Sequence, residues 1–299
     1  MNYVALDIET ANSDRNSICS IGLVKFNDEG ILDEYYTLIN PEVSYFSSFN
    51  IEIHGITEDD VKNSPTFNEV AKYIESFIGD STLVAHFSQF DMYAIQDAYY
   101  RYEMSPPENK YFCSYRLSKN LYELPSYRLS TMCSHFEISS DNHHNALADA
   151  RMCANLVLSI FKDKNLDIDV FNKAHGYVLG SLGSNGFFKK STGSSREIEL
   201  RYDESKHDVN HEFYQKNIAF TGALQAYTRA EIAQTITDIG ANFNKGVLKS
   251  TNYLIVGNLE NLERASGAKK STKMIKAEKL AEEGQEIEIL SELEFMQLL

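Results

Sequence analysis

Positive charge is what this chain of 299 residues has least of: 28 lysines and arginines stand against 43 aspartates and glutamates, a formal net charge of −15. That balance argues against a protein that grips nucleic acid through charge alone, though not against one that meets a polyanion through bound cations. Cysteine is scarce. Cys19, Cys113, Cys133 and Cys153 are scattered among apolar neighbours with no metal-ligand or redox spacing, so they are expected to be reduced core residues of a cytosolic protein. No apolar stretch approaches the ~20 residues of a membrane span, and acidic residues appear by position 7. Neither a span nor a secretory leader is therefore expected, and the cytoplasm is the expected location. Tryptophan is absent, which bears on the C-terminal module. What is present is a hydrophobic share of 43%, enough for a real core, in a length that suits one large domain and a smaller one.

The segment YVALDIET (residues 3 to 10) alternates as a strand, with Val4, Leu6 and Ile8 on one face and Tyr3, Ala5, Asp7 and Glu9 on the other. Two carboxylates side by side on an apolar strand repel, and burying either is costly unless something pairs with it. A bound cation answers both problems. Two more strands follow around the turn NDEG, then a helix with Phe67, Val70, Ile74 and Ile78 in helical spacing, then the short buried strand STLVAHF. Helices are predicted over roughly 91–103, 114–121, 128–136 and 144–162. This order gives an α/β domain over residues 1–165. A Gly-, Ser- and charge-rich stretch, 166–213, reads as a linker, and a compact α/β module occupies 214–299. From about residue 211 onward acids and bases nearly balance, so most of the negative charge belongs to the larger domain.

Asp91 follows a buried strand and opens a helix, where the ordinary reading is an N-cap. Asp149 lies about 120° from the middle of the polar stripe Arg151, Asn155 and Ser159, among Ala146, Cys153 and Leu156, so it needs a partner. A salt bridge to a neighbouring arginine is the structural alternative. His144, five residues earlier, can meet Asp149 only from the preceding loop or first turn, and the adjacent His143 competes with it for attention.

These residues carry a resemblance. LDIET, AHFSQFD and HHNALADA look like the three motifs of the DEDDh exonucleases, the family that includes bacterial proofreading subunits, and IHGIT (residues 53 to 57) resembles a segment recurring between the first two. The resemblance spans about residues 1 to 162. It implies an RNase H-like domain with a mixed five-stranded sheet and 3'-to-5' exonuclease activity by a two-metal mechanism. Asp7, Glu9 and Asp149 would hold one Mg²⁺ or Mn²⁺ ion and Asp7 the second, with Asp91 helping directly or through water. His144 would take the proton from the attacking water. Hard divalent ions want oxygen ligands, and two of them can stabilise the attacking and leaving oxygens together. One position departs from the family pattern, which has Asn where this chain has Phe87. The metal site is expected to survive this, and a polar contact to substrate is put in question. Phe87 could instead stack on a base or simply fill the core.

The C-terminal stretch resembles a BRCT domain of the kind found in bacterial NAD-dependent ligases and clamp-loader large subunits, implying a small parallel sheet. Phe295 stands in the neighbourhood where typical members carry Trp, and Gly240 reads as a helix C-cap. Positions matching the phosphate-binding members are Thr221, Gly222, Arg229 and Lys273: a hydroxyl, an amide and two cations able to bind one phosphate. Lys269, Lys270 and Lys276 would extend a basic patch. The expected partners are single-stranded 3' ends of DNA and 5'-phosphorylated ends or nicks, with recruitment to replication or repair. Two alternatives remain: an exoribonuclease, and a scaffold protein in which the BRCT module docks replication or repair proteins and the nuclease is weakened.

Overall fold

In the computed structural model, which describes residues 1–124, 126–140, 143–175, 179–183, 200–222, 224, 228–257 and 271–299, the chain divides into two compact units, one built on the described residues up to 183 and the other on those from 200 onward. The first is built on a mixed sheet. Strands β1 (Tyr3–Thr10), β2 (Ile18–Asn27) and β3 (Gly30–Leu38) form an antiparallel meander; β4 (Thr82–Ala85) adds parallel to β1 and β5 (Lys110–Cys113) parallel to β4. The sheet has six strands, not the expected five, because β6 (Gly180–Ser181) pairs antiparallel with β5. Two small residues carry no alternation to read, so this strand was hidden inside the stretch assigned to the linker. A helix over Ile168–His175 lies in the same stretch.

The alternation of the first strand decides what covers each face. Val4, Leu6 and Ile8 pack in one cluster with Phe67, Val70 and Ile74 of α3 (Phe67–Ile78) and Met92 and Ile95 of α4 (Gln89–Arg101). On the opposite face Tyr3 meets Phe161 of the long helix α7 (Ala146–Lys164), ring centroids 5.7 Å apart. The short helices α1 (Ser48–His54) and α2 (Glu58–Val61) precede α3; α5 (Ser114–Leu121) and α6 (Leu129–His135) lie between β5 and α7, and α8 (Ile168–His175) follows. All four cysteines are buried and free. No helix among the described residues is long and apolar enough to cross a membrane.

The second unit is a four-stranded parallel sheet in the order β10-β9-β7-β8, from β7 (Asn217–Thr221), β8 (Asn242–Asn244), β9 (Tyr253–Val256) and β10 (Glu288–Ser291). Its helices are α9 (Arg229–Asp238), α10 (Thr272–Glu282) and α11 (Glu292–Leu298). Strand β8, three residues with a single apolar side chain, gave no signal in the sequence. Phe295 is 1% exposed and packs against Phe213 and Phe220, at centroid distances of 5.2 and 5.4 Å. Gly240, at φ 88°, follows α9 as its left-handed terminator.

Candidate active site

The site forms because one glycine lets a helix touch the sheet. Asp7 on β1 pairs with Gly22 on β2, and a Cβ at Gly22 would run into the carbonyl group of Ala146 and the amide of Leu147. With hydrogen there instead, the first turn of α7 settles on the strands, capped by Asn145, whose side chain accepts from the Ala148 amide. Asp149 in that turn then comes within reach: oxygens of Asp7, Glu9 and Asp149 lie within 4.8 Å of one another.

Asp91 joins them from α4. It is the third residue of the helix, after Ser88 at the N-cap, and it caps nothing: both carboxylate oxygens are buried with no hydrogen-bond partner among the described residues. The amides of Ile8 and of Asp91 itself lie close enough to favour the charged form without closing a bond. Burial, reinforced by the charges of the other acids, holds the carboxyls of Asp7, Glu9 and Asp91 well above the usual carboxylate range. Four neighbouring carboxyl groups, one with orphaned oxygens, fit divalent cations with oxygen ligands.

The histidines divide in a way the sequence did not anticipate. The His143 ring makes the direct contact with Asp149, Nδ1 donating at 2.8 and 3.0 Å to the two carboxylate oxygens, and a ring nitrogen of His144 lies within 4.8 Å of the same pair. His144 reaches Asp149 through its backbone N–H, 3.0 Å from Oδ2, in a left-handed conformation at φ 69°. The two rings stack at 4.1 Å. Burial first, and the neighbouring His143 second, push the His144 imidazole below its usual range. Asp149 has these partners in place of an arginine; Arg151 on the outer side of α7 instead forms a bidentate pair with Glu34 of β3, at 2.7 and 2.6 Å.

Three further positions support the site. The Thr10 carbonyl, just beyond Glu9, accepts from Asn50 Nδ2 at 2.9 Å and from His54 Nε2 at 3.1 Å. His54 Nδ1 takes the Ile56 amide, which fixes the proton on Nε2. IHGIT thus contributes a clamp, through His54, on the carboxylate-bearing end of β1, a role the sequence pattern alone could not show. His86 is locked between Ser114 Oγ and the Tyr127 carbonyl, at 2.8 and 2.9 Å, and burial lowers its pKa to about 4. Phe87 adopts φ 65° with its ring stacked on Tyr115 at 4.1 Å. A left-handed residue is where Asn is at ease and Phe is strained, by about 1–3 kcal/mol, which gives the family's preference at this position a backbone reason.

In the second unit Thr221, Gly222, Arg229 and Lys273 are brought together at the end of β7. Arg229 donates to the carbonyls of Phe220 and Gly222, at 3.1 and 2.7 Å, and Lys273 to that of Phe220 at 2.8 Å. Thr221 Oγ1 lies 2.7 Å from Oγ of Ser271, the N-cap of α10. Gly222 has φ 76°, and a Cβ there would collide with the Gly257 carbonyl. Burial and then the charge of Arg229 lower the pKa of Lys273. Lys269 and Lys270 fall outside the described residues; Lys276 is on α10.

A mixed α/β sheet whose strand ends gather four acids defines a nuclease-type centre joined to a small parallel α/β module. Residues 4–157 match the Exonuclease (RNase T) family, and the chain belongs to it; residues 209–283 match the BRCA1 C Terminus (BRCT) domain. Among relatives, the PolC-type DNA polymerase III of Bacillus cereus is 29% identical over 195 residues, 64% of this chain and 13% of that protein. That of Bacillus subtilis is 33% identical over 165 residues, 54% of this chain and 11% of that protein. The chain therefore corresponds to a small part of these relatives. Exonuclease I of E. coli in complex with an oligonucleotide shares the fold, with a TM-score of 0.50 and 15% identity over 57% of this chain and 42% of that one.

Proposed function

We propose that the chain is a DEDDh-type exonuclease that removes nucleotides from the 3' ends of DNA, and that its BRCT unit holds a phosphate group of the same nucleic acid. The observation that carries the first part is the convergence of Asp7, Glu9 and Asp149, with the orphaned oxygens of Asp91 close enough for their charges to act on Asp7 and Glu9. Two Mg²⁺ or Mn²⁺ ions, when bound, would supply the positive charge that stabilises the attacking and leaving oxygens of an in-line displacement. Asp7, Glu9 and Asp149 would hold one and Asp7 the other, with Asp91 supporting either. His144, half-buried beside Asp149, would accept the proton of the attacking water, while His143 orients Asp149. The similarity to PolC-type polymerases supports DNA, and a place in replication, for this activity.

The test is digestion of 5'-labelled DNA and RNA oligonucleotides with Mg²⁺ or Mn²⁺. A ladder of shorter 5'-labelled DNA products, absent without metal and in Asp149→Ala, is the expected result. A preference for RNA would make the chain an exoribonuclease, and no products with any divalent ion would leave the scaffold reading.

For the phosphate reading, the two cations at the Phe220 carbonyl supply the support. Burial first and the like charge of Arg229 second lower the pKa of Lys273, and a bound phosphate would relieve the repulsion. The pocket would be of the ligase and clamp-loader kind. Lys273→Ala is expected to weaken binding to 5'-phosphorylated ends by about tenfold, the size of one charged hydrogen bond. Equal affinity of the wild type for phosphorylated and unphosphorylated ends would remove the pocket from the account.

A further inference from the structure

The loop between β3 and α1 leaves the sheet at the end that carries the carboxylates. Strand β3 runs in the same direction as β1, since both are antiparallel to β2, so the chain leaves β3 at the edge of the sheet where β1 delivers Glu9. The loop is held from both ends. Arg101 donates to the carbonyls of Pro41 and Glu42, at 2.6 and 3.0 Å. The Ser47 amide bonds to the Ala11 carbonyl at 2.8 Å, and Asn12 Nδ2 to the Tyr45 carbonyl at 3.0 Å. Phe46 turns inward onto the buried Ala11, Cys19 and Val61.

Tyr45 turns outward. Its side chain is 52% exposed, and among the described residues nothing bonds to its hydroxyl or stacks on its ring. Three other tyrosines of this unit have large exposed areas, but Tyr73 lies against Tyr35 with ring centroids 4.4 Å apart, Tyr36 is the least exposed of the four at 36%, and Tyr100 has partners of its own. Asn12 is three residues past Glu9, a span of at most about 11 Å. The backbone of Tyr45 is thus fixed close to the metal-side end of β1, with an unoccupied aromatic face.

We infer that Tyr45 is a stacking platform for a base of the single strand entering the site, a few nucleotides back from the scissile bond. This rests on the exonuclease reading and adds to it a specificity-determining residue. A π-face presented on an immobilised backbone binds any base without reading sequence, and it pays little ordering entropy because the loop is already pinned. It favours single strands, whose bases are free to splay, over paired ends.

The test compares wild type with Tyr45→Phe, Tyr45→Leu and Tyr45→Ala on two substrates, an oligothymidylate of eight nucleotides and the p-nitrophenyl ester of thymidine 5'-phosphate, which has no upstream base. Tyr45→Ala and Tyr45→Leu are expected to raise KM for the oligonucleotide about 5- to 150-fold, Tyr45→Phe to retain wild-type KM, and all three to hydrolyse the ester at the wild-type rate. In parallel, 2-aminopurine is placed at each position of the oligonucleotide in turn. One position should show stacking quench in wild type and lose it in Tyr45→Ala. Unchanged KM in Tyr45→Ala, or full retention by Tyr45→Leu, overturns the inference. If wild type hydrolyses neither substrate, the exonuclease reading falls, and the 2-aminopurine quench alone decides stacking: a quench lost in Tyr45→Ala sustains it, and none overturns it.

Discussion

Replacing the hydrogen of Gly22 with a methyl group would drive it into the backbone of Ala146 and Leu147. Gly22→Ala should therefore lift the start of α7 from the sheet and carry Asp149 away from Asp7, at a cost of about 1–3 kcal/mol in stability. Hydrolysis should fall by far more than the melting temperature suggests; a variant with wild-type activity would show that α7 can shift without disturbing the acids. The paired histidines offer a second contrast. His144→Ala should lower turnover about 10²–10⁴-fold, the usual share of a general base, while His143→Ala should chiefly weaken the dependence on metal concentration. A reversal, seen in single-turnover rates at saturating Mn²⁺, would transfer the proton-accepting role to His143, whose ring is the one on Asp149.

At the scale of elements, α7 is held at two points. Asn145→Ala should cost about 1 kcal/mol through loss of the cap. Across the helix, Arg151 lowers the pKa of Glu34 through a hydrogen bond and its charge. The pair's contribution is full above the ordinary pKa of glutamate and is lost as pH falls through the lowered value. Because both side chains are partly solvated, it is at most about 1 kcal/mol; denaturant melts of wild type and Glu34→Gln should differ at pH 7 and converge as the pH is lowered well below the ordinary pKa of glutamate. In the second unit Phe295→Ala should cost about 3–5 kcal/mol, measurable in the same melts.

The elements also show how much could be read in advance. The faces of β1, the buried placement of Asp149 and the helices α3 to α7 were legible because periodicity is a local property, whereas the short α1, α2 and α8 were not. Strands β6 and β8 were not, since two or three residues with little apolar content are strands only by virtue of their neighbours. Asp91 looked like a cap because its type and position suit one; that its oxygens are left unbonded depends on what surrounds it in space. The closeness of His143 to Asp149 depends on the turn ahead of α7, which spacing along the chain does not specify.

For the molecule as a whole, the concentration of negative charge makes ions a structural as well as a chemical matter. Divalent metal should raise the melting temperature by binding only the folded carboxylate cluster, and the gain should grow with metal concentration. Asp149→Ala should lose most of this gain, as read by differential scanning calorimetry. A net charge of −15 also predicts that moderate salt aids productive encounter with a polyanion before it begins to screen the binding cations.

The buried cysteines have a practical consequence. All four thiols lie inside the fold, and burial pushes that of Cys133 up to about 12 and those of Cys19 and Cys153 well above their usual range. Maleimide dyes should react slowly with the native protein, so one cysteine introduced on each unit would be the preferred site of attachment. Pairs of dyes placed in this way would measure, molecule by molecule, the distance between the two units with and without added DNA.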